Sequence, residues 1–276
     1  MESIQRKHEM KSILITGAAG GIGRALRAGL TGVYPLLRLT DIRPITDHTA
    51  GEECVTADLI DFAAVKAFMS GIDCAVHLGG VPKEGPWDAI LNHNIAGAYN
   101  VFEAARQCGV ERVIFASSNH VIGYYRVGKT VGIDDPQRPD SRYGVSKVFG
   151  EALGRLYVDK HGMSVACLRI GSFRERPQNA RQLATWVSPR DLTQLVRRCI
   201  DAPHYRFLVL YGVLNNTRSR WRNPHAALVG YAPLDNAEDY AAELPASASD
   251  SGDPAIAFHG GEFCALEFSG DIGSID

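Results

Sequence analysis

Short, nearly uninterrupted apolar runs alternate along the chain with stretches whose apolar residues recur every three or four positions. Ile13 to Thr16 is the first run; it breaks into Gly17-Ala18-Ala19-Gly20-Gly21-Ile22-Gly23 and then a helical segment, Arg24 to Leu30. Leu36 to Thr40, ending on Asp41, and Cys54 to Ala57, ending on Asp58, read as strands, and Phe62 to Met69 as a helix. Cys74 to Leu78 has a buried-strand pattern and ends in Gly79-Gly80. A long helical stretch from Asn94 to Cys108, a strand from Arg112 to Ala116, a helix around Tyr143 and a strand from Val165 to Ile170 follow. In the helix around Tyr143, the residues Val145, Val148, Phe149, Ala152, Leu153 and Leu156 form the expected buried stripe. Strands that are hydrophobic throughout are covered on both faces, and their alternation with helices predicts an α/β fold with a doubly wound parallel sheet.

Beyond Gly171 the rhythm weakens. Arg190 to Ile200 reads as a helix and Phe207 to Tyr211 as a strand, while Leu244 to Pro254 is rich in Ala, Ser, Asp and Pro. The expected division is a nucleotide-binding domain over residues 1–170 and a smaller substrate-binding lobe with the C-terminal segment over 171–276. With 276 residues, 45% hydrophobic and 22% charged, the chain is long enough for a full core. A formal net charge of -2 gives no general attraction to nucleic acid or an anionic membrane, so a small molecule is the expected partner. The trio Arg218, Arg220 and Arg222 around Trp221 is too short to change that and reads as a solvated loop. Six scattered cysteines, with no Cys-x-x-Cys, indicate neither a disulfide framework nor a zinc site and suit a reducing compartment. The opening residues lack the apolar core of a secretory signal and no run is long enough for a membrane span, so a cytoplasmic location is expected.

In open parallel sheets the ligand lies beyond the carboxyl ends of the strands, which selects the residues to weigh. Gly17, Gly20 and Gly23, with Gly21 and Ile22 between them, form a turn directly between a strand and a helix. Such a turn lets a pyrophosphate approach the free N–H groups and positive end of the helix. Asp41, followed by Ile42, stands where a carboxylate accepts the ribose hydroxyls of adenosine, favouring NAD over NADP, although Arg43 offers a cation to a ribose phosphate. Asp58, followed by Leu59, either meets the adenine amino group or caps a helix. Leu78, Gly79, Gly80 and Ile170 end strands at the same edge. Ser117-Ser118-Asn119-His120 follows the fifth strand, so a Ser118 hydroxyl and a Tyr143 phenol can converge on one substrate oxygen; a polar turn is the alternative. Tyr143 and Lys147, four apart, share one side of their helix, and Gly150 and Gly154 continue that side without bulk.

Taken together, Gly-x-x-Gly-x-x-Gly, Asp41, Asp58-Leu59, Asn94-Ile95-Ala96-Gly97, Ser118 and Tyr143-x-x-x-Lys147 resemble the extended short-chain dehydrogenase/reductase family. The stretches EECVTADL, VHLGG, FASSNHVIGYY, RPDSRYGVSKVFGE, LRIGS and DNAEDY are similar to bacterial uronate dehydrogenases over nearly the whole chain. The resemblance implies a Rossmann domain that binds NAD, with Asn94 among the cofactor residues. Tyr143 would be the catalytic base, Lys147 would favour its phenolate and hold the nicotinamide ribose, and Ser118 would orient the substrate hydroxyl. A free phenol titrates near about 10, which is why such assistance is needed. Hydride would leave the anomeric carbon of a hexuronic acid and give an aldarolactone, with no metal required. Arg181 would grip the sugar carboxylate, and Asn119, His120 and Ser172 would bind hydroxyls; for His120 alone a structural histidine, and for Arg181 alone a solvated arginine, is the plainer alternative. The family also pairs subunits through neighbouring helices, which implies a dimer or higher homo-oligomer.

Pro82, where a serine is expected, and the run Phe173-Arg174-Glu175-Arg176-Pro177 depart from the family pattern at the substrate end. They keep two other readings open: a neutral-sugar dehydrogenase, or an epimerase or dehydratase of nucleotide sugars. A third reading, an NAD-binding regulatory protein without turnover, is opposed by the presence of Ser118, Tyr143 and Lys147 together.

Overall fold

The computed structural model describes residues 12–213, 215–245 and 252–275. Strands β1 (Ser12–Thr16), β2 (Leu36–Asp41), β3 (Glu52–Thr56), β4 (Cys74–His77), β5 (Arg112–Ser118) and β6 (Ser164–Ile170) lie in one sheet. A short pair, β7 (Ser172–Phe173) with β8 (Trp186–Val187), precedes β9 (Phe207–Gly212), which joins the large sheet. The sheet runs β3-β2-β1-β4-β5-β6-β9, and every pairing is parallel. Strand order reverses between β1 and β4, so the loops after those strands diverge to opposite faces and open a crevice at their carboxyl ends.

Up to Asp201 the α-helices are α1 (Gly21–Leu30), α2 (Phe62–Met69), α3 (Trp87–Ala89), α4 (Gly97–Gln107), α5 (Arg142–His161), α6 (Gln182–Thr185) and α7 (Pro189–Asp201). A π-helical stretch, Ile90–Ala96, joins α3 to α4. The period-two geometry of the strands divides their side chains between two apolar layers. Ile13 and Ile15 pack with Leu26 of α1 and Leu192, Leu195 and Val196 of α7. Leu14, Val113 and Phe115 pack on the other face with Phe68 of α2, Phe102 of α4 and Leu153 of α5. Residues after 170 thus complete both the sheet and one helical layer, since β9 pairs along β6 from Phe207 to Gly212. The connector expected around Leu244 to Pro254 lies mostly outside the described residues.

The stripe expected on α5 holds only in part: Leu153 is buried and Val148 and Phe149 are partly buried. Val145 and Leu156 are 45% and 50% exposed, whereas Tyr143, Lys147, Gly150, Gly154 and Tyr157 are buried. The side lacking bulk is the one that meets the sheet, because a Cβ on Gly150 would stand 2.1 Å from the Phe115 ring and one on Gly154 2.9 Å from Val165. Close helix–sheet approach, which puts the Tyr143 and Lys147 side against β5, overrides the apolar periodicity. Trp221 is likewise not a loop residue in solvent: it is buried and stacked on Tyr211, while Arg218 pairs with Glu238.

Candidate active site

A cleft of about 970 Å³ opens along the carboxyl edge of the sheet. At its floor the loops after β1 and β4 touch. The Thr16 hydroxyl accepts from the Leu78 and Gly79 amides (3.2 and 3.1 Å) and bonds to His77 Nδ1 at 2.8 Å. Burial holds the His77 imidazole down at about 3, so it is a neutral tether. Gly17 adopts φ 69°, and a Cβ there would lie 2.9 Å from the Gly79 amide nitrogen; a Cβ on Gly23 would lie 2.4 Å from the Gly17 carbonyl. Helix α1 begins on Gly21 after Gly20, without a side-chain cap and without an acidic residue in its first turn. Its free N–H groups therefore face the cleft, and the space beside Gly21 is open.

Asp41 sits at the rim, its Oδ2 accepting from the Ala19 amide at 3.0 Å and its Oδ1 from the Arg43 amide at 3.0 Å. Arg43 Nε lies 3.4 Å from the same Oδ1, so the cation that competed with Asp41 in the sequence is held beside it. Asp58 faces the cleft and accepts from the Ile60 amide, while Asp61 caps α2 through the Ala64 amide; the helix-cap alternative for Asp58 therefore falls to its neighbour. Gly17, Gly20, Gly21, Ile22, Gly23, Asp41, Ile42, Asp58, Leu59, Leu78, Gly79, Gly80 and Ile170 all line one cleft. A bare helix end, a glycine cradle and a carboxylate at the end of β2 fit a dinucleotide: the pyrophosphate on α1, the adenosine ribose on Asp41. Asn94 is placed differently from the expectation. It lies buried behind the wall, its amide holding both polar groups of the Val81 backbone (2.7 and 3.0 Å) and donating to Ser146 Oγ at 3.1 Å.

At the other end of the cleft, β5 delivers Ser118 and α5 delivers Tyr143 and Lys147, all buried and all on the cleft wall. The start of α5 is fixed twice: Ser141 Oγ accepts from the Gly144 amide at 3.0 Å, and Glu84 Oε2 from the Tyr143 amide at 2.9 Å. Lys147 Nζ stands over the Tyr143 and Phe115 rings, 5.3 and 5.1 Å from their centroids. Burial pushes the Tyr143 phenol up to about 12, partly offset by the Ser118 hydroxyl, and burial pulls Lys147 down to about 8. In the ligand-free site burial dominates the phenol, whereas the sequence expectation joins Lys147 to the positive charge of a bound oxidised nicotinamide.

Asn119 follows at the end of β5; with its amide oriented so that both groups are satisfied, the nitrogen donates to the Ile170 carbonyl and the oxygen accepts from Arg181 Nη2, both at 3.1 Å. Arg181 Nε and Nη2 also donate to the His259 carbonyl at 3.0 and 2.7 Å. This guanidinium thus hydrogen-bonds neutral acceptors, while the Asp140 and Glu262 carboxylates act on its charge through space beside the cleft it lines. Ser172 Oγ bonds to Thr185 Oγ1 at 2.9 Å. Sequence reasoning missed the return of the chain through Gly260 and Phe263, which close the same end, and Gln178 and Gln182, which extend it. No periodic signal marks these residues; only the tertiary path brings them there.

Residues 13–199 match the NAD dependent epimerase/dehydratase family, and the chain belongs to it. The chain is 45% identical to uronate dehydrogenase from Pseudomonas putida over 255 residues, covering 91% of this chain and 94% of that one. Among solved structures it resembles the glucuronic acid dehydrogenase of Chromohalobacter salexigens (TM-score 0.90, 42% identity, 96% of this chain and 100% of the other). It also resembles a variant of uronate dehydrogenase from Agrobacterium tumefaciens complexed with NAD (TM-score 0.89, 43% identity, 93% and 97% coverage).

Proposed function

We propose that this protein is an NAD-dependent dehydrogenase that oxidises a hexuronic acid, such as galacturonate or glucuronate, at the anomeric carbon and releases an aldarolactone. The observation that carries the reading is Arg181, a guanidinium fixed in the wall of the cleft by the His259 carbonyl, its hydrogen bonds going to neutral groups. A sugar carboxylate supplies a charged hydrogen-bond partner and sets the far end of the ring. Ser172 and Asn119 lie beside it, and Ser118 and Tyr143 wait at the anomeric end. The Tyr143 phenolate takes the proton of the anomeric hydroxyl while Ser118 orients that oxygen. Gly17 to Gly23, Asp41 and Lys147 would hold the cofactor, and a bound oxidised nicotinamide supplies the hydride acceptor and a positive charge close to the phenol.

Arg181→Ala is expected to lower kcat/KM for a uronate by about thirtyfold, or about 2 kcal/mol for a lost charged contact, and to leave a neutral aldose little changed. NAD reduction measured with uronic acids beside the matching aldoses tests substrate and reaction at once. Equal loss on both sugars would remove the carboxylate from the assignment. The neutral-sugar reading rests on Pro82, which puts no hydroxyl donor in a wall that Ser118 and Ser172 otherwise furnish.

Residues 171–276 contribute Ser172, Arg181 and Phe263 to the substrate end, which supports treating them as the substrate-binding part of the chain. Among the described residues no helix is long and apolar enough to cross a membrane. We infer a cytoplasmic enzyme from the six free thiols, and a homo-oligomer from the apolar exposure of Tyr99 on α4 and Val145 and Leu156 on α5.

A further inference from the structure

The substrate end of the cleft holds a buried acid that the reaction above does not use. Asp140 has a fully buried carboxylate, and its Oδ2 lies 2.7 Å from Nδ1 of His120. Its other oxygen accepts from Ser141 Oγ at 2.7 Å. Two glycines make room for it: a Cβ on Gly123 or on Gly260 would fall 1.8 or 1.9 Å from Oδ2. Cys264 Sγ closes the remaining side at 3.9 Å. The His120 ring is stacked on Phe263 at 4.0 Å and 17° and set edge-on to Tyr143 at 5.7 Å, so it cannot turn freely. Among the described residues no hydrogen bond engages its Nε2, and the residue lines the cleft.

A carboxylate only accepts, so in the neutral ring Nδ1 carries the hydrogen and Nε2 is left with a lone pair. Of the charged cleft groups, Lys147 and Arg181 donate and Glu262 accepts, and the Tyr143 hydroxyl beside the ring can do either. We infer that Asp140 is a positioning residue that locks His120 in the Nδ1–H tautomer, so that Nε2 is a fixed acceptor reserved for one sugar hydroxyl. This deepens the uronate reading and rests on it for the nature of the ligand. A substrate with a donor at that position satisfies Nε2, and one lacking the hydroxyl leaves a half-buried acceptor unmet.

Long-range 1H–15N NMR of the ligand-free protein should report the Nδ1–H tautomer for His120; an Nε2–H tautomer overturns the proposal. In the second arm, kcat/KM is measured for the uronate and for deoxy analogues each lacking one ring hydroxyl, in the wild type and in Asp140→Asn. An asparagine amide fits the same space and pairs with either tautomer. The wild type should reject one analogue by about tenfold or more. Asp140→Asn should lose on the uronate, keep its rate on that analogue and bind NADH with unchanged affinity by fluorescence titration, so that the discrimination collapses. Equal loss on both sugars makes Asp140 merely structural and overturns the proposal. If the variant fails to fold, the wild-type tautomer and the analogue series decide. If no uronic acid supports NAD reduction, the proposed function fails, and the tautomer measurement still tests the role of Asp140.

Discussion

Tyr143→Phe is expected to reduce turnover by about 10²- to 10⁴-fold, the range for removing a positioned acid–base group, while NADH still binds. The substitution deletes one oxygen from a ring that is buried and packed edge-on to His120 and Phe263. Its shape is retained, so the start of α5 and Lys147 should keep their places. The phenol is held up at about 12 chiefly by burial, and Lys147 is drawn down to about 8 for the same reason. At neutral pH the lysine is therefore charged and the ligand-free phenol neutral. The signs fix the pH dependence. Wild-type turnover should climb as pH rises from below neutrality, while Lys147 keeps its charge below about 8, and the small residual rate of Tyr143→Phe should lose that climb. Fluorescence titration with NADH separates the two effects: a variant that no longer binds cofactor has lost its site, while one that binds and turns over at the wild-type rate has a different base.

The strands and the glycine turn were legible because parallel strands buried on both faces demand continuous apolar runs, and Ile13 to Thr16 and Arg112 to Ala116 supply them. The strand-end rule then found most of the cleft. Helix α5 departs from its apolar period for a physical reason: its sheet-facing side is built largely from Tyr143, Lys147, Gly150, Glu151 and Gly154, so Val145 and Leu156 fall on the exposed side while Leu153 stays buried. Residue resemblance placed Asn94 with the cofactor, but its side chain acts one layer back, on the Val81 turn. Gly260 and Phe263 were invisible for another reason. They reach the cleft because the chain folds back onto the turn that follows β5, with the Gly260 amide donating to the Gly123 carbonyl at 2.9 Å. Asp140 carries no signal in the sequence, since a carboxylate beside a serine and a proline looks like a turn until its partner is known.

The same helix gives the largest expected effect on stability. Glu151, 3% exposed, faces Arg169 of β6, 1% exposed, in a two-bond pair with both contacts at 2.9 Å. Ser117 Oγ donates to Glu151 at 2.6 Å, Gln137 donates at 3.2 Å, and Arg169 donates onward to the Tyr211 hydroxyl of β9 at 3.1 Å. One network thus joins α5, β5, β6 and β9, adjacent in sequence to Ser118 and Ile170. Burial opposes the Arg169 charge, and the Glu151 carboxylate outweighs it, leaving the guanidinium more basic than usual. Glu151→Ala strands that charge in the interior and should destabilise the fold by about 3–5 kcal/mol. Replacing both partners with apolar residues of similar volume, Glu151→Leu with Arg169→Met, should restore part of the loss, because the buried charges are gone while Ser117 Oγ and Gln137 lose their acceptor. Urea denaturation of the two variants checks this: equal destabilisation would mean that the pair itself, and not the unpaired charge, sets the cost. If the double variant refolds but turns over poorly, the network also serves to hold the Ser118 end of β5 against the Tyr143 helix.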